Sequence, residues 1–136
     1  MSQHLYKFII FLVLVLLSAC GQNREQIIQK KWKLDAKVFV QKVEKKLNSK
    51  LKDEDKATHI NFANELYADF QPDGVIETNL GGRLEKGNWK LNEDKNKVIL
   101  TRKEGTEVLK IDEISANRLV LKHTNQNIKD TWVLIA

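Results

Sequence analysis

Few groupings of side chains in this 136-residue chain have the types and spacing for covalent, acid–base or metal chemistry. There is a single cysteine, Cys20, so no disulfide can form within one chain. The histidines are His4, His59 and His123. His4 lies ahead of a long apolar run, and His59 falls in a helical stretch that points it to solvent. His123 shares a strand register with Leu119 and Leu121 and faces inward near a strand end. None has a second His or Cys at ligand spacing, which argues against zinc, and a lone rim histidine lacks the convergent partners of a general base. Asp53-Glu54-Asp55 does not follow the layout of a calcium loop and reads as a helix-start cluster favoured by the helix dipole. Gly81-Gly82 has neither the P-loop lysine nor dinucleotide-binding spacing. These residues predict a protein that is not an enzyme and uses no metal or cofactor. Two features remain: Cys20, and the aromatic set Trp32, Phe70, Trp89 and Trp132.

Cys20 ends a segment with three recognisable parts. Lys7 and the α-amino group supply a positive start, F-I-I-F-L-V-L-V-L-L (residues 8–17) supplies an apolar core, and Ser18-Ala19 are small. That order is a secretory signal. A membrane-spanning helix needs roughly 20 apolar residues, and apolarity here stops at Leu17. The tetrapeptide Leu17-Ser18-Ala19-Cys20 resembles the bacterial lipobox at all four positions. The resemblance implies a diacylglycerol on the Cys20 sulfur, cleavage before Cys20, and acylation of the new amino terminus. Gly21, where an Asp would imply retention in the inner membrane, leans toward the outer membrane. The expected organisation is a signal peptide over residues 1–19, a short polar tether over 20–26 and one domain over 27–136.

Composition is compatible with that division. A domain of this size buries about two thirds of its unfolded surface and needs no disulfide or metal staple. The formal charge of +5 is modest for a chain that is 30% charged, and reads as a mixed solvated surface rather than a nucleic-acid footprint. Pro72 is the only proline, which argues against a long disordered linker.

The elements that must position the aromatics are mostly strands. Residues 27–35 alternate, with Ile28, Trp32 and Leu34 on one face and Lys31 and Lys33 on the other. Residues 37–51 change period, with Val40, Val43, Leu47 and Leu51 on a helical face among lysines. A second helix is expected over 53–66, with Asp53 as N-cap candidate and Ile60, Ala63 and Leu66 as its apolar side. Short strands then follow at turn spacings of about ten residues: 66–70, 75–80, 85–92, 97–103, 106–114, 118–124 and 128–136. Eight strands in a meander close most simply as an antiparallel up-and-down barrel, with a helical insertion at about 37–66 after the first strand. W-K-L recurs at 32–34 and 89–91, which suggests that Trp32 and Trp89 plug similar barrel positions.

The succession W-K-L-D, a charged helical insertion, Y-A-D-F-Q-P-D-G, G-N-W-K-L, V-I-L-T and I-D-E-I-S-A-N-R-L-V-L-K resembles the lipocalin-like lipoproteins of Gram-negative bacteria. Phe70, Asp73, Gly74, Gly87, Trp89, Leu91, Ser115, Asn117, Leu119, Val120 and Leu121 stand at matching positions. Lys30-Lys31-Trp32 departs from the Gly-x-Trp of lipocalins proper, and Ile114 replaces a leucine. The resemblance implies a mainly β, lipocalin-like barrel held at the cell envelope by lipidated Cys20. Trp32, Phe70, Trp89, His123 and Trp132 are then candidates to line a small apolar ligand. The alternative is a barrel filled by those side chains, working as a non-enzymatic envelope scaffold or protein-interaction module. The Lys-rich helix either caps an open barrel end or lies on anionic headgroups; capping is preferred, because its apolar face needs burial. Cys20→Ala is expected to leave an uncleaved precursor that incorporates no radiolabelled palmitate, read by gel mobility and autoradiography of whole cells.

Overall fold

A computed structural model describes residues 23–124 and 131–136, together with Lys7. Cys20 and the lipobox lie outside the described residues, as does the turn expected beyond Thr124. Eight strands form one closed antiparallel barrel in chain order: β1 (Lys31–Leu34), β2 (Tyr67–Phe70), β3 (Val75–Asn79), β4 (Glu85–Leu91), β5 (Lys97–Arg102), β6 (Gly105–Ile114), β7 (Arg118–His123) and β8 (Thr131–Ile135). Helix α1 (Arg24–Ile28) precedes β1, while α2 (Ala36–Leu47) and α3 (Asp53–Asn64) form the insertion between β1 and β2. The expected up-and-down barrel with a helical insertion is therefore the fold.

Up-and-down order sorts the connections by end. The turns 71–74, 92–96 and 115–117 lie at the end where β1 begins. The α2–α3 insertion, the loop 80–84 and the turn 103–104 lie at the opposite end. Helix α1 plugs the first end. Ile28 is completely buried and accepts a 2.9 Å bond from the Trp32 indole N–H. Arg24 donates to the Lys95 carbonyl, Lys30 Nζ donates to the Ala116 carbonyl, and the Lys30 carbonyl accepts from Phe70 N–H. The helix and the two residues after it are thus tied to two of the end turns and to the end of β2.

Here the structure differs from the expected strand over 27–35. Residues 24–28 are helical, with the Asn23 side chain accepting from Glu25 N–H, and the strand starts at Lys31. A five-residue helix is too short to show a period, so Ile27-Ile28 resembled a strand start. Helix α3 also begins at Asp53 itself, after Lys52, which makes no side-chain cap bond. Asp53 is therefore not the N-cap, and the three carboxylates of residues 53–55 fill the first turn, where they suit the dipole. Asp35, at the end of the first strand, instead caps α2 by accepting from Lys37 N–H and Val38 N–H.

The barrel interior is filled. Trp32, Ala68, Phe70, Ile76, Trp89, Val98, Leu100, Leu109, Ile111, Leu119, Leu121 and Leu134 form one buried cluster with Ile28. Alternation puts these residues inward on successive strands, and a register shift at Asp112 in β6 lets Ile114 pair with Leu119 and rejoin the core. Phe70 meets Trp89 edge to face, with ring centroids 5.4 Å apart. The Trp89 indole N–H donates to the Gln71 carbonyl, as that of Trp32 does to Ile28. Both tryptophans therefore hang from backbone carbonyls at the plugged end, matching the W-K-L echo.

Close packing leaves one strand position without room for a side chain. A Cβ on Gly87 of β4 would lie 2.5 Å from the Thr101 carbonyl oxygen and 2.9 Å from Arg102 Cγ. The first of these is backbone of the paired strand and can yield only by bending the ladder. Gly87→Ala is expected to cost about 1–3 kcal/mol, measured as a lower urea midpoint with the slope of the transition unchanged.

Candidate functional site

The end opposite α1 is roofed rather than plugged. Asp35 turns the chain from β1 into α2 and puts Phe39 and Val43 over the barrel rim. There they meet Leu34 at the end of β1, Leu80 after β3, and Thr131 and Trp132 at the start of β8. Between roof and rim lies a groove of about 270 Å³, with Lys42 and Lys46 of α2 on its border. Lys42 Nζ donates to the Thr131 carbonyl at 2.6 Å and thereby ties α2 to β8. Phe39 and Val43 also line a second hollow of about 340 Å³ with Thr58, His59 and Phe62, between α2 and α3. A further depression of about 410 Å³ at the end of α2 is lined by Gln41, Glu44, Lys45, Asn48, Ser49 and Lys50. Its polar and charged walls suit water rather than an apolar molecule.

The roof is held together by Glu44. Its carboxylate accepts from Leu51 N–H at 3.0 Å and from Lys50 Nζ at 3.1 Å, and Lys56 Nζ of α3 stands 3.7 Å away. Asn48, in the left-handed region at φ 50°, ends α2 and lets the chain return to Glu44. The Leu51 amide, then the lysines, hold the Glu44 carboxyl below its ordinary value despite opposing desolvation. Glu44, not Leu47, is the buried residue on this turn of α2. Leu47 is 58% exposed and Ile60 of α3 38% exposed, so two residues expected on buried faces are in water. Val40 and Ala63 are buried as expected.

A polar layer sits on the inward register at the roofed end. Arg102 Nη1 lies 3.3 Å from Glu107 and 3.5 Å from Glu85, and Nη2 lies 3.4 Å from the Thr78 hydroxyl. Arg102 Nε is buried without a partner. On the outer wall, the Tyr67 hydroxyl donates to Glu77 at 2.7 Å, and Lys31 lies over the Tyr67 ring at 4.0 Å. That bond raises Tyr67 and lowers Glu77 from their ordinary values. Among the described residues, no three His, Cys, Asp or Glu side chains gather to hold a metal ion.

The five aromatic and histidine candidates separate by depth. Trp32, Phe70 and Trp89 belong to the packed interior and do not line the groove. Trp132 lines it, and His123 meets Trp132 edge to face at 6.1 Å. His59 is half-buried rather than solvent-pointing, 6.3 Å from the Phe39 ring. Sequence reasoning missed Leu34, Phe39, Lys42, Leu80 and Arg102 as mouth residues. A signal existed for Arg102, which continues the inward alternation of Val98 and Leu100.

A family model described as a lipocalin-like domain matches residues 28–121, from the buried end of α1 through most of β7. Comparison with curated proteins and with solved structures gave no match.

The Glu44 bonds carry a pH signature. A carboxyl lowered in the folded state stabilises it above the ordinary value of 4.5, and that contribution disappears as pH falls through the lowered value. Glu44→Gln is expected to melt lower than the parent at neutral pH. The gap should narrow as pH falls below the ordinary 4.5 and close once the lowered carboxyl is protonated, followed by circular dichroism melts from neutral into acid pH.

Proposed function

The chain belongs to the lipocalin-like domain family, and on that premise we propose that it is an envelope lipoprotein, anchored through Cys20, that holds a small apolar molecule at the mouth of its barrel. The observation that carries the reading is the groove between α2 and the rim, walled by Leu34, Phe39, Val43, Leu80 and Trp132. At about 270 Å³ it is just below the usual range for small-molecule sites. The packed interior below it provides a rigid floor instead of a deeper chamber. Lys42 and Lys46 at its edge favour an amphiphile whose polar end is anionic, such as a medium-chain carboxylate. Each methylene taken from water would contribute about 0.8 kcal/mol, so the alkyl chain of decanoate would contribute roughly 7 kcal/mol before the cost of association.

Anchoring rests on the signal segment and the Leu17-Ser18-Ala19-Cys20 motif. One acyl chain holds a protein only marginally, whereas the two or three of a mature lipoprotein hold it durably. The second reading, an interaction module, is favoured by Leu84 at 60% and Phe62 at 46% exposure near the roofed end. A photo-crosslinker at Leu84 that captures the same neighbour reproducibly in cells would support it.

Native mass spectrometry of the domain lacking residues 1–20, recovered from cell extract, is expected to show added small-molecule mass. Val43→Trp should fill the groove and weaken decanoate binding at least about tenfold without lowering the melting temperature. An unloaded parent that is also indifferent to decanoate would sink the ligand reading.

A further inference from the structure

We infer that the barrel mouth opens away from the membrane holding the anchor, so that the groove exchanges its occupant with the aqueous compartment rather than with that leaflet. The inference rests on the anchoring proposed above and adds a direction to it. Helix α1 lies at the plugged end, fixed there by Ile28 burial and by the bonds of Arg24 to Lys95 and Lys30 to Ala116. The groove and the α2–α3 roof lie at the other end, because the insertion leaves from the finish of β1 and returns at the start of β2.

Lengths decide what the anchor permits. Cys20 precedes Arg24 by four residues, which reach about 14 Å even when fully extended. The six residues of β5 rise about 20 Å along the strand, or about 15 Å along the barrel axis at the usual tilt. The roof adds about a helix diameter, roughly 10 Å. To turn the mouth onto the bilayer, the tether would have to run the whole outside of the barrel, about 25 Å by the same dimensions. Whatever its conformation, a segment this short cannot. The plugged end therefore stays next to the headgroups, and a molecule leaving the leaflet has no direct path into the groove.

The test uses the full-length, lipid-modified protein reconstituted in phosphatidylethanolamine–phosphatidylglycerol vesicles that carry a nitroxide on a fraction of their headgroups. Cys20 is the only native thiol and is blocked by the thioether, so a new cysteine takes a single fluorophore. Asp94→Cys reports from the plugged end, and Lys45→Cys and Lys103→Cys from two sides of the roofed end. All three positions are exposed. Headgroup quenching at position 94 is expected to exceed that at 45 and at 103 by at least twofold. Equal or stronger quenching at either roofed-end position in vesicle-bound protein overturns the orientation and leaves the anchor standing. Protein that fails to float with the vesicles overturns the anchor, and the orientation with it.

Discussion

Among the described residues, two pairs, Lys33 with Ile135 and Leu34 with Leu134, join β1 to β8, and they turn an open meander into a barrel. Asp35 reinforces this narrow seam from three directions. Its backbone N–H donates to the Val133 carbonyl, extending the pairing by one step along β8. Its carboxylate caps α2 and lies 3.3 Å from Arg118 on β7, which in turn holds Glu113 on β6. One side chain thus couples barrel closure to the start of the roof helix. Without the seam there would be no enclosed interior for the tryptophans and no rim for Phe39 and Val43 to cover. Closure also leaves none of the eight strands with an unpaired edge.

The two ends of the barrel are finished by different physics. At one end a single turn of helix drives Ile28 into the core and spends its polar groups on the neighbouring turns. At the other, a helical hairpin lies across the opening on a few apolar side chains, with Lys42 bonded to the Thr131 carbonyl and Asn79 to the Glu65 carbonyl just after α3. The Arg102–Glu85–Glu107 layer beneath the roofed end keeps charge close to the rim, where Glu85 and Glu107 remain partly hydrated. A filled middle, a sealed end and a loosely covered end give the molecule a polarity that its nearly symmetrical strand pattern does not suggest.

The barrel was legible because inward positions alternate and turn residues recur at short intervals, signals that survive in one sequence. The insertion was legible because Val40 and Val43 changed the period. What escaped were features that depend on partners far along the chain. Glu44 looks like any surface glutamate until Asn48 turns the backbone and brings the Leu51 amide to it. Asp35 reads as a strand residue until Val133 and Arg118 arrive from the other end of the sequence. The groove was hidden for the same reason: its walls come from β1, α2, the loop after β3 and β8, and no local pattern joins them. The aromatics were visible as a set, but only topology shows that three of them lie below the roof and one beside it.

Pairing the first strand with the last has a kinetic side. The Leu34–Leu134 contact spans nearly the whole domain, and contacts of such separation form late because the intervening loop must first be ordered. Until β8 arrives, β1 and β7 each keep a bare edge and the Trp32 side of the core stays open. A chain built this way keeps its interior accessible until its final strand is in place.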